Sequence, residues 1–165
     1  MLGSLGESIL KQNFFGSECT GFVEFEEKNQ IYMDQYYETC GYKIIDRNGN
    51  KGRDLELSKD GIIIKVEEKY RTEDWGDFAI ELIQDLTTNN AGWFFYTTAD
   101  YINYIIVEDK PVALYTVAWK KFKDYFLKDV KRFNCFISRK GYGITLNAEI
   151  KWKYIPNNIW KKRKL

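Results

Sequence analysis

A chain of 165 residues, 44% of them hydrophobic, is sized for one domain with a real core, and no apolar run approaches the ~18 residues that would span a membrane. Basic and acidic residues nearly balance overall, 25 against 24, but residues 1–109 hold 10 Lys and Arg against 21 Asp and Glu, while residues 110–165 hold 15 against 3. Histidine is absent, which excludes Ser-His-Asp and Cys-His catalysis, His-dependent nucleases and His-containing zinc sites, and leaves carboxylate-held metal with lysine assistance for hydrolysis.

Cys19, Cys40 and Cys135 are widely spaced without a Cys-x-x-Cys pair, so buried free thiols in a reducing cytoplasm are expected. The start of the chain lacks a basic segment followed by a signal-length apolar run, and the protein is expected to be soluble and cytoplasmic. The 12 Tyr, 11 Phe and 5 Trp are enough to fill a core or to stack on bases, core filling being the default.

In chain order, a short helix is expected from Glu7 to Phe14, followed by a loop. Ile31, Met33, Tyr36, Tyr37 and Cys40 recur at helical spacing and predict a helix from about Glu26 to Cys40, stopped by Gly41. Tyr42 to Asp46 reads as a first strand ending in the Arg47-Asn48-Gly49-Asn50 turn. Residues 53–58 alternate polar and apolar, residues 62–70 are β-branched, and Asp60-Gly61 between them is a hairpin signal.

Strand alternation places Asp54 and Glu56 on one side of the first hairpin strand, and Glu67 and Lys69 on one side of the second. Leu55, Leu57, Val66 and Glu68 point the other way. If the two charged faces coincide, carboxylates and an ammonium share a small volume, the oxygen-rich setting that magnesium favours. The bland alternative is a solvated face of cross-strand ion pairs.

Further along, Thr72 to Asp77 reads as a polar loop, and Asp77 as the N-cap of a helix from Phe78 to Leu86 with Glu81 and Gln84 on its polar flank. Gly92 to Tyr96, Tyr101 to Val107 and Val112 to Thr116 read as strands. Trp119, Phe122, Phe126, Val130 and Phe133 mark an amphipathic helix whose other face carries Lys120, Lys121, Lys123, Lys128, Lys131 and Arg132. Arg139 to Gly143 is a hairpin turn, the strictly alternating run from Ile144 to Tyr154 is a half-buried strand, and the basic tail to Leu165 is expected to be disordered.

An acid on one strand followed by acid-x-Lys on the next, here Asp54, Glu67 and Lys69 flanked by Val66 and Tyr70, resembles the PD-(D/E)XK nuclease superfamily. Arg53 stands where members often have proline. The region from about Gln30 to Val107 can be read in the superfamily's order of helix, three strands, helix and strand, in the manner of a phage or mobile-element member. The resemblance implies an α/β fold with a restriction-endonuclease-like core: a central mixed β-sheet flanked by helices over residues 26–116, and a basic helix and β-hairpin in an extension over 117–165 of the same domain. It implies metal-dependent hydrolysis of nucleic acid phosphodiesters, DNA first, with Mg²⁺ or Mn²⁺ held by Asp54, Glu67 and a backbone oxygen of Glu68, and Lys69 positioning or activating water. Asp34, chosen over Glu27 and Glu38, would be the helix acid at the site, and Glu56, Glu81 and Gln84 accessory residues. Lys120, Lys121, Arg139, Lys140, Lys161, Lys162 and Arg163 are the expected nucleic-acid contacts. The resemblance also implies homodimers that cut both strands. The competing reading is a catalytically silent protein on the same scaffold that binds a host protein or nucleic acid.

Overall fold

The computed structural model describes residues 17–47, 52–140 and 143–165. The helix expected at Glu7 to Phe14 and the turn at 48–50 lie outside these residues. Helix α1 (Ser17–Thr39) leads into an antiparallel meander of β1 (Lys43–Asp46), β2 (Leu55–Lys59) and β3 (Ile62–Arg71). The Asp-Gly signal is realised: Asp60 at φ 52° and Gly61 at φ 79° both take the left-handed backbone that a two-residue hairpin turn demands. That turn sets the register from Lys59↔Ile62 to Leu55↔Val66.

Beyond Val66, β3 changes neighbour. Its residues Val66 to Arg71 pair in parallel with β6 (Tyr101–Val107), which pairs with β7 (Pro111–Ala118) and through it with β10 (Trp160–Lys164). The result is a six-stranded mixed sheet in the order β1-β2-β3-β6-β7-β10. A second, antiparallel sheet, β5-β4-β9-β8, is built from β4 (Asp77–Asp85), β5 (Asn90–Ala91), β8 (Asn134–Lys140) and β9 (Gly143–Lys151). Helix α2 (Trp93–Tyr96) and helix α3 (Trp119–Lys128) complete the regular elements, with 3-10 turns at Val130–Arg132 and Trp152–Tyr154.

Three expectations are corrected. The segment from Phe78 to Leu86 is a strand, because Phe78, Ile80 and Leu82 alternate into the core; a register shift between Glu81 and Ile83 then moves Ile83 out of phase and imitates helical spacing. Trp93 to Tyr96 is one helical turn rather than a strand. The basic tail is β10, zipped onto β7 from Trp160↔Val117 to Lys164↔Ala113. Lysines suit this position, since charged side chains protect a sheet edge from further pairing.

These changes overturn the expected helix-flanked α/β core. Ten strands in two sheets stand against three α-helices among the described residues, and the face opposite α1 is covered chiefly by the second sheet. The basic helix and the C-terminal hairpin are present as α3 and β8–β9.

Two cores follow from the layering. Met33 and Tyr37 of α1 pack on Leu55, Leu57, Val66, Ile105, Val107 and Leu114. On the other face, Phe78, Ile80, Tyr104, Tyr115, Trp119, Phe122, Ile150 and Trp152 fill the space between the sheets. Rings in this core meet at favourable geometries, Phe78 edge-on to Phe122 at 4.9 Å and Tyr115 stacked on Trp152 at 4.5 Å. Much of the aromatic content is therefore structural.

Candidate active site

The site forms where β2 stops accompanying β3. Asp54 lies just before the Leu55↔Val66 pair and out of its register, its N–H donating to the Val66 carbonyl at 2.9 Å, and its charge acts on Glu67. The chain reaches this point under tension from its neighbours: the Gly52 carbonyl accepts from the Thr98 N–H (2.8 Å) and the Thr97 hydroxyl (2.7 Å). Gly52 is at φ +110°, and a Cβ there would lie 2.8 Å from the Tyr96 carbonyl, so only glycine allows the close crossing that delivers Asp54.

Asp54 and Lys69 meet α1 at a small cavity of about 60 Å³, lined also by Glu26, Gln30, Glu68 and Tyr70. The Lys69 Nζ donates to Glu67 Oε1 at 2.5 Å and lies 5.5 Å from the Trp93 ring centre. Asp54 Oδ2 accepts from the Glu68 N–H at 2.6 Å, which fixes the carboxylate against the strand. Lys69 is bonded to Glu67 and shares the cavity with Asp54, whose charge acts on both; Glu67 is not part of the cavity's lining.

The charges are not balanced. Burial raises the Glu67 pKa; Lys69 pulls it down, and the charges of Asp54 and Glu68 push it up again. Burial raises Glu26 in the same way, opposed by Lys69 and reinforced by Asp54, Glu68 and Glu67. Burial works against the Lys69 ammonium, but Glu67, Asp54 and Glu26 together outweigh it and raise its pKa. Lys69 is therefore a hydrogen-bond donor and fixed positive charge, not a base. Tyr96 lies in the same field: burial raises its hydroxyl, and Lys69, Glu67, Glu81 and Asp54 all act on it.

Other expected residues are placed elsewhere. The Glu68 side chain points to the α1 face, as alternation requires, and there accepts from the Tyr37 hydroxyl (2.7 Å), Arg47 (2.7 Å) and the Tyr70 hydroxyl (2.9 Å). Its carboxylate is tied into the fold by these donors, although Glu68 also lines the cavity and its charge acts on Glu67 and Glu26. Asp34 binds the same Arg47, through Nε at 2.7 Å, and is not the helix acid of the site. That acid is Glu26. It shares a face of α1 with Gln30, Met33 and Tyr37 at steps of four, three and four, a stripe hidden from sequence reading because the helix begins at Ser17 rather than at Glu26. Glu56 pairs with Arg53 at 2.9 Å, and Gln84 is exposed on β4.

Neither a protein-family model, nor a curated protein, nor a solved structure matches this chain. The site must be judged on its own chemistry. Among the described residues, no three His, Cys, Asp or Glu side chains form a ready-made metal cage. Magnesium does not need one, since it keeps several waters and takes one or two carboxylates together with substrate phosphate. Burial is the main cause that raises Glu67 and Glu26, with the charges of Asp54 and Glu68 adding to it.

The expected basic contacts do not form one patch. Lys161 and Arg163 lie with Lys121 along a groove on the α1 face, whereas Lys162 points to the opposite face and binds Asp74 at 3.0 Å. Lys120 is exposed on α3 and Arg139 on β8; the Lys140 side chain lies outside the described residues. Cys40 and Cys135 are free thiols, and Cys135 is exposed rather than buried. No described helix is long and apolar enough to cross a membrane.

Proposed function

We propose that this protein hydrolyses phosphodiester bonds in nucleic acid, DNA first, using Mg²⁺ or Mn²⁺ at a PD-(D/E)XK-type site. The observation that carries the reading is a polar cavity lined by Asp54, Lys69 and Glu26, with Glu67 bonded to Lys69 just behind it. Asp54 and Glu67 would hold the metal, with a backbone oxygen of Glu68 beside them. A metal bound there polarises a phosphoryl oxygen and makes bound water more acidic.

The chain's own groups do the rest. Lys69, kept as the ammonium, orients the attacking water and offsets negative charge as it builds on the phosphoryl oxygens. Glu26, its pKa raised chiefly by burial, is the helix carboxylate placed to accept a proton at the cavity. Asp54, pinned by the Glu68 N–H, keeps its orientation. The free thiols Cys40 and Cys135 accord with a reducing cytoplasm as the working compartment.

The test is direct. Supercoiled plasmid, single-stranded DNA and RNA are incubated with the purified protein and Mg²⁺ or Mn²⁺. Cutting that stops with EDTA and in Lys69→Ala is expected; absence of cutting with both metals on every substrate overturns the reading.

A further inference from the structure

Helix α1 covers only part of its face of the six-stranded sheet. Beside it runs a half-open groove of about 480 Å³, floored by β3, β6 and β7 and bounded by the C-terminal end of α1 and by β10. We propose that this groove binds a single-stranded stretch of nucleic acid, its bases against the tyrosines and its phosphates along β10. The proposal rests on nucleic acid being the substrate of the site above.

Three observations carry it. The first is the wall: Tyr36, Tyr42 and Tyr101 line the groove, Tyr36 and Tyr42 half-buried and Tyr101 37% exposed, while Tyr37 beneath them belongs to the core. Such surfaces take bases of any sequence, each stacked ring contributing about 1–3 kcal/mol in single-strand binders. The second is charge. Lys121, Lys161 and Arg163 border the groove, and neither Lys121 nor Lys161 has an acidic partner among the described residues. Lys161 and Arg163 are two apart on a strand, about 6.8 Å, a spacing comparable to successive phosphates of an extended strand.

The third is a buried amide. Asn103 is 4% exposed and lines the groove; its Nδ2 donates to the Tyr37 hydroxyl at 2.7 Å, while its Oδ1 has no partner. A buried acceptor left unsatisfied costs about 1–3 kcal/mol, and this one lies beneath the groove surface, within reach of a base only if the Asn103 side chain turns. An apolar protein segment would desolvate the three cations.

The test is fluorescence anisotropy of a labelled short deoxyadenylate oligomer with the wild-type chain in EDTA, where no cutting occurs. Lys161→Glu is expected to weaken binding about tenfold at low salt, and Tyr101→Ala by about tenfold. Lys164→Glu makes the same charge change on the opposite face of β10 and is expected to stay within about twofold. No binding, equal losses in Lys161→Glu and Lys164→Glu, or an unchanged Tyr101→Ala would overturn the groove. Competition by adenosine monophosphate as strong as by the oligomer would overturn the strand as occupant in favour of a free nucleotide. Groove-dependent binding without cutting would sink the hydrolase reading alone, and cutting indifferent to Lys161→Glu would sink the groove alone.

Discussion

Glu67 and Glu68 are neighbours on β3, both buried at 5% and 2% exposure, and their surroundings differ in kind. Glu68 faces α1, where Tyr37, Tyr70 and Arg47 give its carboxylate three donors and a full opposite charge. Glu67 faces the other way, with Lys69 as its bonded cation and the charges of Asp54 and Glu68 acting against it. Burial of an acid is thus no sign of function by itself. What separates the two is compensation: Glu68 has three side-chain donors, whereas Glu67 has Lys69 and feels the charges of Asp54 and Glu68.

The contrast is broken most severely at Glu68. Glu68→Ala removes the acceptor of two tyrosine hydroxyls and the buried one of the two carboxylates that hold Arg47, and removal of one partner of a buried pair costs about 3–5 kcal/mol. Urea unfolding should show that loss, whereas Glu67→Gln should stay within about 1 kcal/mol of wild type at neutral pH. Equal losses would erase the distinction. Lys69→Ala leaves the buried Glu67 without its bonded cation and should also lower the unfolding midpoint, less than Glu68→Ala because Lys69 is the more exposed partner, while lowering the cleavage rate by about 10²–10³. A third measure is thermal: Mg²⁺ at about a hundred times its dissociation constant should add about 2.7 kcal/mol of stability. That gain should vanish in Asp54→Asn and Glu67→Gln.

The smallest effect concerns pH. Glu26 and Glu67 have raised folded-state pKa values, so the folded chain keeps protons that the unfolded chain has released. Their contribution is complete below the unfolded carboxylate value of about 4.3 and is lost as pH rises through the raised values. Glu26→Gln should therefore melt with wild type in acid and above it at neutral pH, by less than about 1 kcal/mol for a partly exposed group. A variant no more stable than wild type at neutral pH would show that Glu26 is already compensated.

Residues governed by short-range rules were legible in the sequence. Asp60-Gly61 dictates the hairpin, the hairpin dictates the register, and alternation then puts Glu67 and Lys69 on one side of β3, bonded to each other. Features set by distant partners were not. The β4 strand looks helical because of the shift at Glu81 and Ile83, which exists only against β9. The β10 strand is a run of cations until β7 offers it an edge. Asp34 is drawn away from the site by Arg47, and Glu26 is brought in by a helix longer than its apolar pattern suggested.

Crystals soaked in Mn²⁺ and measured at the manganese absorption edge test the central claim most directly. An anomalous peak bonded to carboxylate oxygens of Asp54 and Glu67, absent in Glu67→Gln, is the predicted result. A saturating soak that leaves no peak there, with Glu67 still bound to Lys69, would contradict it.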